Sequence, residues 1–311
     1  MSTYQAVFFV FACIVLFLYG LKGFSEEIKN VGGERLKKTL GGLTRNRWSA
    51  LGLGALITAI IQSSSAVSAM TVALVDAGAI SFTNSLAVLL GAGIGTSSTV
   101  WLVSLNFMDA GIYFMVIGFV IGSLPFRISL IGKSLFYFGF ILFALLLLSD
   151  ALAPVKESPL ILETLSSVDH IMVALLAGLL ITALVQSSSV VVGLCAILVQ
   201  GEFLQLSDGI GILIGAKVGS TSTALLASLK MSESARLTAL SNFVFFISGA
   251  IVFLPFTSLL EDLAISLSSS PGIQVAYCQL IFSVFIALIY VPFIGPFARL
   301  MLRWRPIDQD S

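Results

Sequence analysis

The chain has 311 residues, of which 58% are apolar and 10% charged, and its mean hydropathy is +1.06. Soluble proteins are about half apolar and about one quarter charged, so this composition predicts a helical membrane protein. The 16 basic and 16 acidic residues balance, and we expect no nucleic-acid partner. Three scattered cysteines and the single His170 are too few to predict a disulfide framework or a metal site.

Apolar runs of membrane-spanning length occur along the whole chain. They cover residues 4–24, 50–75, 80–105, 111–126, 132–150, 168–199, 206–229, 237–260 and 273–298. We expect the first run to remain in the mature protein, because it lacks the basic start and the cleavage site of a signal peptide.

The distribution of charges predicts the topology. Basic residues cluster between Lys22 and Arg47, whereas residues 151–169 and 258–272 are acidic. Because cytoplasmic loops are basic, we expect the N-terminus outside and the C-terminus in the cytoplasm of a multi-pass cell-membrane protein. The assignment holds throughout only if the runs 50–75 and 168–199 re-enter as hairpins. Residues 26–42 are expected to form an amphipathic helix on the cytoplasmic surface.

A repeat becomes visible when the sequence is shifted by 124 residues. Gly54, Leu56–Ala59 and Gln62–Ser65 recur as Gly178, Leu180–Ala183 and Gln186–Ser189, and similar matches continue to Leu229. The charges place the two copies in opposite orientations. We therefore predict an all-α membrane protein with two inverted repeats, at residues 1–126 and 127–260. Each repeat has a span, an interfacial helix, a re-entrant hairpin and a broken helix, and residues 261–311 add a span and a basic tail.

Two polar tetrads at the centres of apolar runs predict the substrate site. Four consecutive polar residues would face every side of a helix, including lipid, so we expect the chain to unwind there inside the protein. The exposed N–H groups, the hydroxyls and the half-helix N-termini would then bind an anion. The residues are Gln62, Ser63, Ser64 and Ser65, and Gln186, Ser187, Ser188 and Ser189.

A second pair of segments combines glycines with hydroxyl residues. Small residues of this kind also serve close helix packing, but broken helices with free carbonyl and hydroxyl oxygens suit sodium. The predicted sodium ligands are Gly91, Gly95, Thr96, Ser97, Ser98 and Thr99, and Gly215, Gly219, Ser220, Thr221, Ser222 and Thr223. Lys217 lies deep in the second segment, and we expect it to line the substrate site rather than to reach the membrane surface.

With these motifs in place, the chain resembles the type II sodium–phosphate cotransporters and their bacterial relatives. That family carries a doubled Gln-Ser-Ser-Ser, each followed by a Gly-Ala/Ser-Asn-Ile-Gly-Thr segment. The matching residues here are Gln62–Ser65 with Gly91–Thr96, and Gln186–Ser189 with Gly215–Ser220. The resemblance implies sodium-driven symport of inorganic phosphate, with the tetrads contributing to phosphate and sodium binding. We expect this chain to lack the PhoU-like C-terminal domain of many bacterial members.

The chain departs from the family pattern where Gly93 and Lys217 replace the two asparagines. This leaves open a symporter of another oxyanion or anion, in which Lys217 replaces one sodium ion. A channel is a further alternative, whereas an enzyme is not expected, because no base accompanies the tetrad serines. The expected partners are phosphate or a similar anion, sodium as a co-transported ion and the lipid bilayer. No cofactor is expected, and a homodimer is left open.

Overall fold

The computed structural model describes Gln5, most of residues 8–27, and residues 46–104, 110–125, 128–152 and 171–304. All regular secondary structure in these ranges is helical. Residues 28–42 of the predicted amphipathic helix, the acidic residues 153–169 and His170 lie outside them. The helices are α1 (Phe8–Phe24), α2 (Arg47–Ile61), α3 (Ser64–Asp76), α4 (Phe82–Gly95), α5 (Ser97–Ser104), α6 (Gly111–Gly122), α7 (Ile128–Leu152), α8 (Ile171–Val185), α9 (Ser188–Gln200), α10 (Leu206–Ser228), α11 (Glu233–Phe253), α12 (Thr257–Leu267) and α13 (Pro271–Trp304).

The helix boundaries repeat with the sequence. Helices α2 and α3 recur 124 residues later as α8 and α9, with both ends of each helix at equivalent residues. The segment Phe82–Ser104, which contains α4 and α5, recurs in the same way as α10. Each tetrad interrupts its apolar run, as the sequence predicted. The duplicated sequence therefore folds into duplicated helices.

The predicted helix break at Gly215–Thr223 is wrong, because α10 is one continuous helix from Leu206 to Ser228. The equivalent break in the first copy is limited to Thr96, whose backbone angles, φ −60° and ψ −28°, are still helical. These glycines serve close packing instead. A Cβ on Gly215 would lie 1.9 Å from the carbonyl oxygen of Leu175 on α8, so only glycine allows the contact.

The same close approach occurs in the first copy. A Cβ on Gly91 would lie 2.0 Å from the carbonyl oxygen of Leu51 on α2. One turn later, a Cβ on Gly95 or Gly219 would lie 2.3 or 2.4 Å from a carbonyl oxygen of the opposite helix. The glycines at these four positions hold α4 against α2 and α10 against α8.

The outer surface is suited to lipid. Within the described ranges, five segments are long and apolar enough to cross a membrane, namely Phe82–Ser104, Ile128–Leu148, Leu206–Ser228, Glu233–Leu267 and Pro271–Arg303. Large apolar side chains are widely exposed, including Phe8 at 75%, Tyr113 at 70% and Leu184 at 84%. A soluble monomer rarely exposes so much continuous apolar surface, so these faces indicate a membrane protein.

Arg47 joins the start of α2 to the second half of α13. Pro296 lies inside α13 and has no N–H group, so the carbonyl oxygen of Pro292 loses its helical hydrogen bond. Arg47 Nη1 donates to that oxygen at 3.0 Å. The contact satisfies an orphan carbonyl and places these two helix ends side by side.

Candidate functional site

The two helix breaks share an unusual backbone conformation. Gln62 and Gln186 end α2 and α8 in the left-handed region, with φ of 58° and 57°. Their N–H groups still donate to Thr58 and Thr182 at 2.8 and 2.7 Å, so each residue closes the last helical turn. A residue with a side chain is uncommon in this region and stores strain of about 1–3 kcal/mol, a feature that clusters at functional sites.

The two glutamine side chains have different surroundings. Gln62 is half-buried, and its Nε2 donates to the carbonyl oxygen of Ala59 and, at 3.0 Å, to Ser98 Oγ. This bond links the first break to α5. The side chain of Gln186 is exposed. The breaks are therefore equivalent in backbone but not in side-chain contacts.

The serines of each tetrad lie at the start of a helix. Ser63 Oγ accepts a hydrogen bond from the Ala66 N–H at 3.3 Å and caps α3, whereas no side chain caps α9 at Ser187. The next two serines of each tetrad are buried. Free N–H groups and the helix dipole at these starts favour an anion.

Several hydroxyls around the breaks are buried without a hydrogen-bond partner. Leaving a buried polar group unsatisfied costs about 1–3 kcal/mol, so such groups indicate a bound ligand or water. They come in nearly matching sets from the two copies: Thr58, Ser65, Ser97 and Thr99 in the first, and Thr182, Ser188, Ser222 and Thr223 in the second.

The hydroxyls of the remaining predicted sodium ligands donate to carbonyl oxygens three or four residues earlier at 2.7–2.9 Å, and the residues are Thr96, Ser98, Ser220 and Thr221. Their oxygen lone pairs stay available to a cation. The glycines Gly91, Gly95, Gly215 and Gly219 pack against the facing helix. In the described part of the chain, no group of three acidic, His or Cys side chains could hold a metal ion.

Lys217 lies at the contact between the two copies. Its side chain is 1% exposed, and Nζ donates a 2.8 Å hydrogen bond to the carbonyl oxygen of Gly93. The ring of Phe246 lies 5.8 Å from Nζ, measured to the ring centroid. Among the described residues, no carboxylate lies within 4.0 Å of this ammonium group. An anionic ligand would provide the missing counter-charge.

The helices that follow the two tetrads, α3 and α9, each pack against the other copy. Helix α3 packs on α10 and α11, and helix α9 packs on α5 and α13. Helices α3 and α9 also contact each other. The structure thus brings the helices that follow both tetrads to one interface between the copies.

Sequence reasoning did not identify several buried polar residues near this interface. Thr58 and Thr182 precede each tetrad glutamine by one turn, and their repetition was a signal for them. Gln279 and Ser283 lie one turn apart in an apolar run, which was a second signal. Asn242 is likewise buried, and the amide oxygens of Asn242 and Gln279 have no partner.

The comparison with known families decides the class of protein. Residues 16–150 and 157–260 match the model of the Na+/Pi-cotransporter family. The chain belongs to this family. The resemblance seen in the tetrads is therefore confirmed over most of the chain, and the protein is a membrane protein of a transporter family.

The curated relatives are distant but extend over nearly all of the chain. The protein YqeW of Bacillus subtilis, named as uncharacterized, is 28% identical over 295 residues, which cover 93% of this chain and 95% of that protein. The Escherichia coli K12 protein named "Putative inorganic phosphate export protein YjbB" is 25% identical over 291 residues. The YjbB protein of Salmonella typhimurium is 27% identical over 296 residues. The chain spans 54% of the length of both YjbB proteins. No solved structure matches this chain.

Proposed function

We propose that the chain is a sodium-coupled symporter of inorganic phosphate in the cell membrane, with phosphate bound between the two tetrads. The observation that carries the proposal is the pair of matching helix breaks, which combine buried, unpartnered hydroxyls with two helix N-termini. In a member of the Na+/Pi-cotransporter family, the anion that such groups would bind is phosphate.

The proposal includes an inverted repeat. Lys217 and Gly93 are equivalent positions of the two copies and yet contact each other, which is expected for residues at an approximate two-fold axis. The division into residues 1–126, 127–260 and 261–311 belongs to the same proposal. The contact of Arg47 with α13 supports a common cytoplasmic side for the basic segment before α2 and for the C-terminus. The tetrad hairpins would then enter the membrane from opposite sides.

Sodium would bind beside the tetrads rather than at an unwound helix. The unpartnered hydroxyls of Ser97 and Thr99 on α5, and of Ser222 and Thr223 on α10, offer oxygen ligands of the kind that sodium prefers. Thr58 and Thr182 add one hydroxyl each from the facing helices. One set of ligands in each copy allows two sodium ions.

The test is phosphate flux in proteoliposomes with an imposed sodium gradient. We expect saturable phosphate uptake when sodium is higher outside and efflux when it is higher inside, because a coupled carrier follows the net gradient. The efflux arm also addresses the export named for the YjbB relatives. Flux without saturation or counterflow stimulation would indicate a channel, and flux indifferent to sodium would overturn the coupling.

A second candidate substrate is favoured by Lys217. Its ammonium bonds a backbone carbonyl oxygen that would otherwise suit sodium, so it would replace one sodium ion in a symporter of another oxyanion. Competition of phosphate uptake by sulfate and by arsenate separates the substrates. The second candidate would be favoured if unlabelled sulfate inhibited the uptake of labelled phosphate at a lower concentration than unlabelled phosphate does.

A further inference from the structure

Helices α11 and α13 occupy equivalent places around the two copies, although the sequence repeat does not relate them. Phe245 contacts Tyr290 with ring centroids 4.5 Å apart, and Phe253 contacts Phe282 at 5.3 Å. Phe282 is 37 positions after Phe245, and Tyr290 is 37 positions after Phe253. Exchanging α11 and α13 therefore converts one contact into the other. The order of the contacts also shows that the two helices are antiparallel.

The same 37-residue relation holds for contacts with the repeats. Thr238 of α11 hydrogen-bonds Ser85 of α4 at 3.3 Å. The equivalent residues are Val275 of α13 and Gly209 of α10, and a Cβ on Gly209 would lie 3.8 Å from Val275 Cγ2. Two independent sets of contacts thus agree on the relation between α11 and α13.

The relation pairs two buried amides, Asn242 on α11 and Gln279 on α13. They are 3% and 0% exposed, and neither Asn242 Oδ1 nor either amide atom of Gln279 has a hydrogen-bond partner. Ser283, one turn beyond Gln279, is also buried and unpartnered. Buried polar groups are normally satisfied, so these residues face something that binds them.

Their position points to the interface that contains Lys217. Asn242 lies one helical turn from Phe246, and a Cβ on Gly93 would lie 2.9 Å from Phe246 Cζ. Residues one turn apart share a helix face, so Asn242 lies on the face of α11 directed at Gly93 and Lys217. Phe246 of α11 corresponds to Ser283 of α13, and Gly93 of α4 corresponds to Lys217 of α10. Ser283 is therefore expected to face Lys217, and Gln279, one turn before Ser283, lies on the same face of α13.

We propose that Asn242 and Gln279 are a symmetric pair of phosphate-binding amides, contributed by helices outside the tetrads. A sodium ion could satisfy the amide oxygens but not the Gln279 Nε2 donor, and the Lys217 ammonium would repel it. Phosphate satisfies both kinds of atom, because its charged oxygens accept from N–H groups and each P–OH group donates to one amide oxygen: one in hydrogen phosphate, and both in dihydrogen phosphate. Sulfate carries no such hydroxyl at neutral pH, so the amide oxygens select phosphate over sulfate.

This inference rests on the proposed phosphate transport, and its test compares two buried glutamines of α13. Gln279→Met and Asn242→Leu remove the paired amides, while Gln274→Met is the matched control. Gln274 is also buried, but its Nε2 donates to the Ser268 carbonyl oxygen at 2.8 Å. The readouts are phosphate affinity in transport, the ratio of phosphate to sulfate affinity, and thermal unfolding in detergent with and without inorganic phosphate.

We expect Gln279→Met and Asn242→Leu to weaken phosphate binding roughly 10- to 100-fold, the effect of losing one hydrogen bond to a charged ligand. Sulfate affinity should change less, so the ratio should fall. Without phosphate, Gln279→Met should unfold at the wild-type temperature or above, since it removes unsatisfied groups, while Gln274→Met should unfold earlier.

The outcomes separate this inference from the proposed function. Wild-type affinity in both amide variants would show that the amides bind water only and would overturn the inference alone. Early unfolding of Gln279→Met without phosphate would assign the amide a structural role and would also overturn it. A wild-type protein that neither binds nor transports phosphate would overturn the proposed function and this inference together.

Discussion

Lys217 and Gly93 are the same position in the two copies, and the ammonium of the first donates a 2.8 Å hydrogen bond to the carbonyl oxygen of the second. Gly93 has no side chain, and a Cβ there would lie 2.9 Å from Phe246 Cζ. The missing side chain at Gly93 thus makes room for the Phe246 ring, which lies 5.8 Å from Lys217 Nζ. A carbonyl oxygen that binds an ammonium can also ligate sodium, which connects this pair to ion coupling.

Two substitutions of Lys217 distinguish the role of its charge from the role of its length. Lys217→Met should weaken phosphate binding about tenfold or more, because it removes a buried ammonium that has no carboxylate partner among the described residues. Lys217→Asn should raise the sodium dependence of uptake, since a free carbonyl oxygen at Gly93 could then bind the ion. Both are measured as phosphate uptake against sodium concentration.

Lys230 provides the control for this pair of variants. It is exposed in the turn after α10, so Lys230→Met changes the same charge without touching the site. Normal transport by Lys217→Met, with unchanged sodium dependence, would remove Lys217 from the site.

Glycine at the tetrad glutamines tests the side chain without disturbing the backbone. Gln62 and Gln186 have φ of 58° and 57°, a region that glycine adopts without cost. Gln62→Gly should therefore fold as stably as wild type, or more stably by up to about 1 kcal/mol, and yet lose most transport. The Gln62 side chain bonds Ser98, whereas the Gln186 side chain is exposed. Gln62→Gly should therefore lose more transport than Gln186→Gly. Full transport by Gln62→Gly would contradict a role for the amide.

The helix breaks at the two tetrads were predictable from the sequence, because a lipid-facing helix does not tolerate four consecutive polar residues. The glycine segments were not, because glycine serves an unwound helix and a closely packed one equally well. The structure shows that these glycines serve close packing, because the carbonyl oxygens of Leu51 and Leu175 lie directly against Gly91 and Gly215. The sequence pattern does not contain this contact. The role of α13 was hidden for another reason: its equivalence to α11 lies in contacts rather than in sequence identity.

The packing glycines should be intolerant of any side chain. Gly215→Ala would bring a Cβ to 1.9 Å from the Leu175 carbonyl oxygen, and backbone cannot move aside as a side chain can. We expect a loss of about 1–3 kcal/mol or more, measured as lower thermal stability and yield. Gly52→Ala is the control, since nothing lies within 4 Å of a Cβ there. Equal stability of the two variants would show that α8 and α10 are not held by this contact.

Asp76 links the end of α3 to the start of α11 in a pH-dependent way. Its Oδ1 accepts from the Ser232 N–H at 2.6 Å, and this bond, with one from the Ser232 hydroxyl, holds the pKa of Asp76 below its usual 3.8. A lowered folded pKa adds stability above pH 3.8 that is lost as the pH falls through the folded value. Thermal unfolding of wild type and Asp76→Asn should therefore differ at pH 7 and converge at lower pH.

The equivalent residue in the second copy, Gln200, gives the neutral comparison. Its Oε1 accepts from the Gly272 N–H at 2.8 Å and from Ser270 Oγ at 2.9 Å, at the start of α13. Removing this amide with Gln200→Leu should destabilise the protein to a similar extent at either pH. A pH-dependent effect of Gln200→Leu would show that the acid response arises elsewhere.

The two tetrads differ at their first serine, which separates capping from ligand binding. Ser63 Oγ accepts from the Ala66 N–H, so Ser63→Ala should cost about 1 kcal/mol of stability, as the loss of a helix cap does. No side chain caps α9 at Ser187, so Ser187→Ala should unfold near the wild-type temperature. If the uncapped Ser187 hydroxyl binds phosphate, Ser187→Ala should nevertheless raise the half-saturating phosphate concentration. Thermal unfolding and phosphate uptake of both variants measure this, and a stability loss in Ser187→Ala equal to that in Ser63→Ala would contradict the assignment.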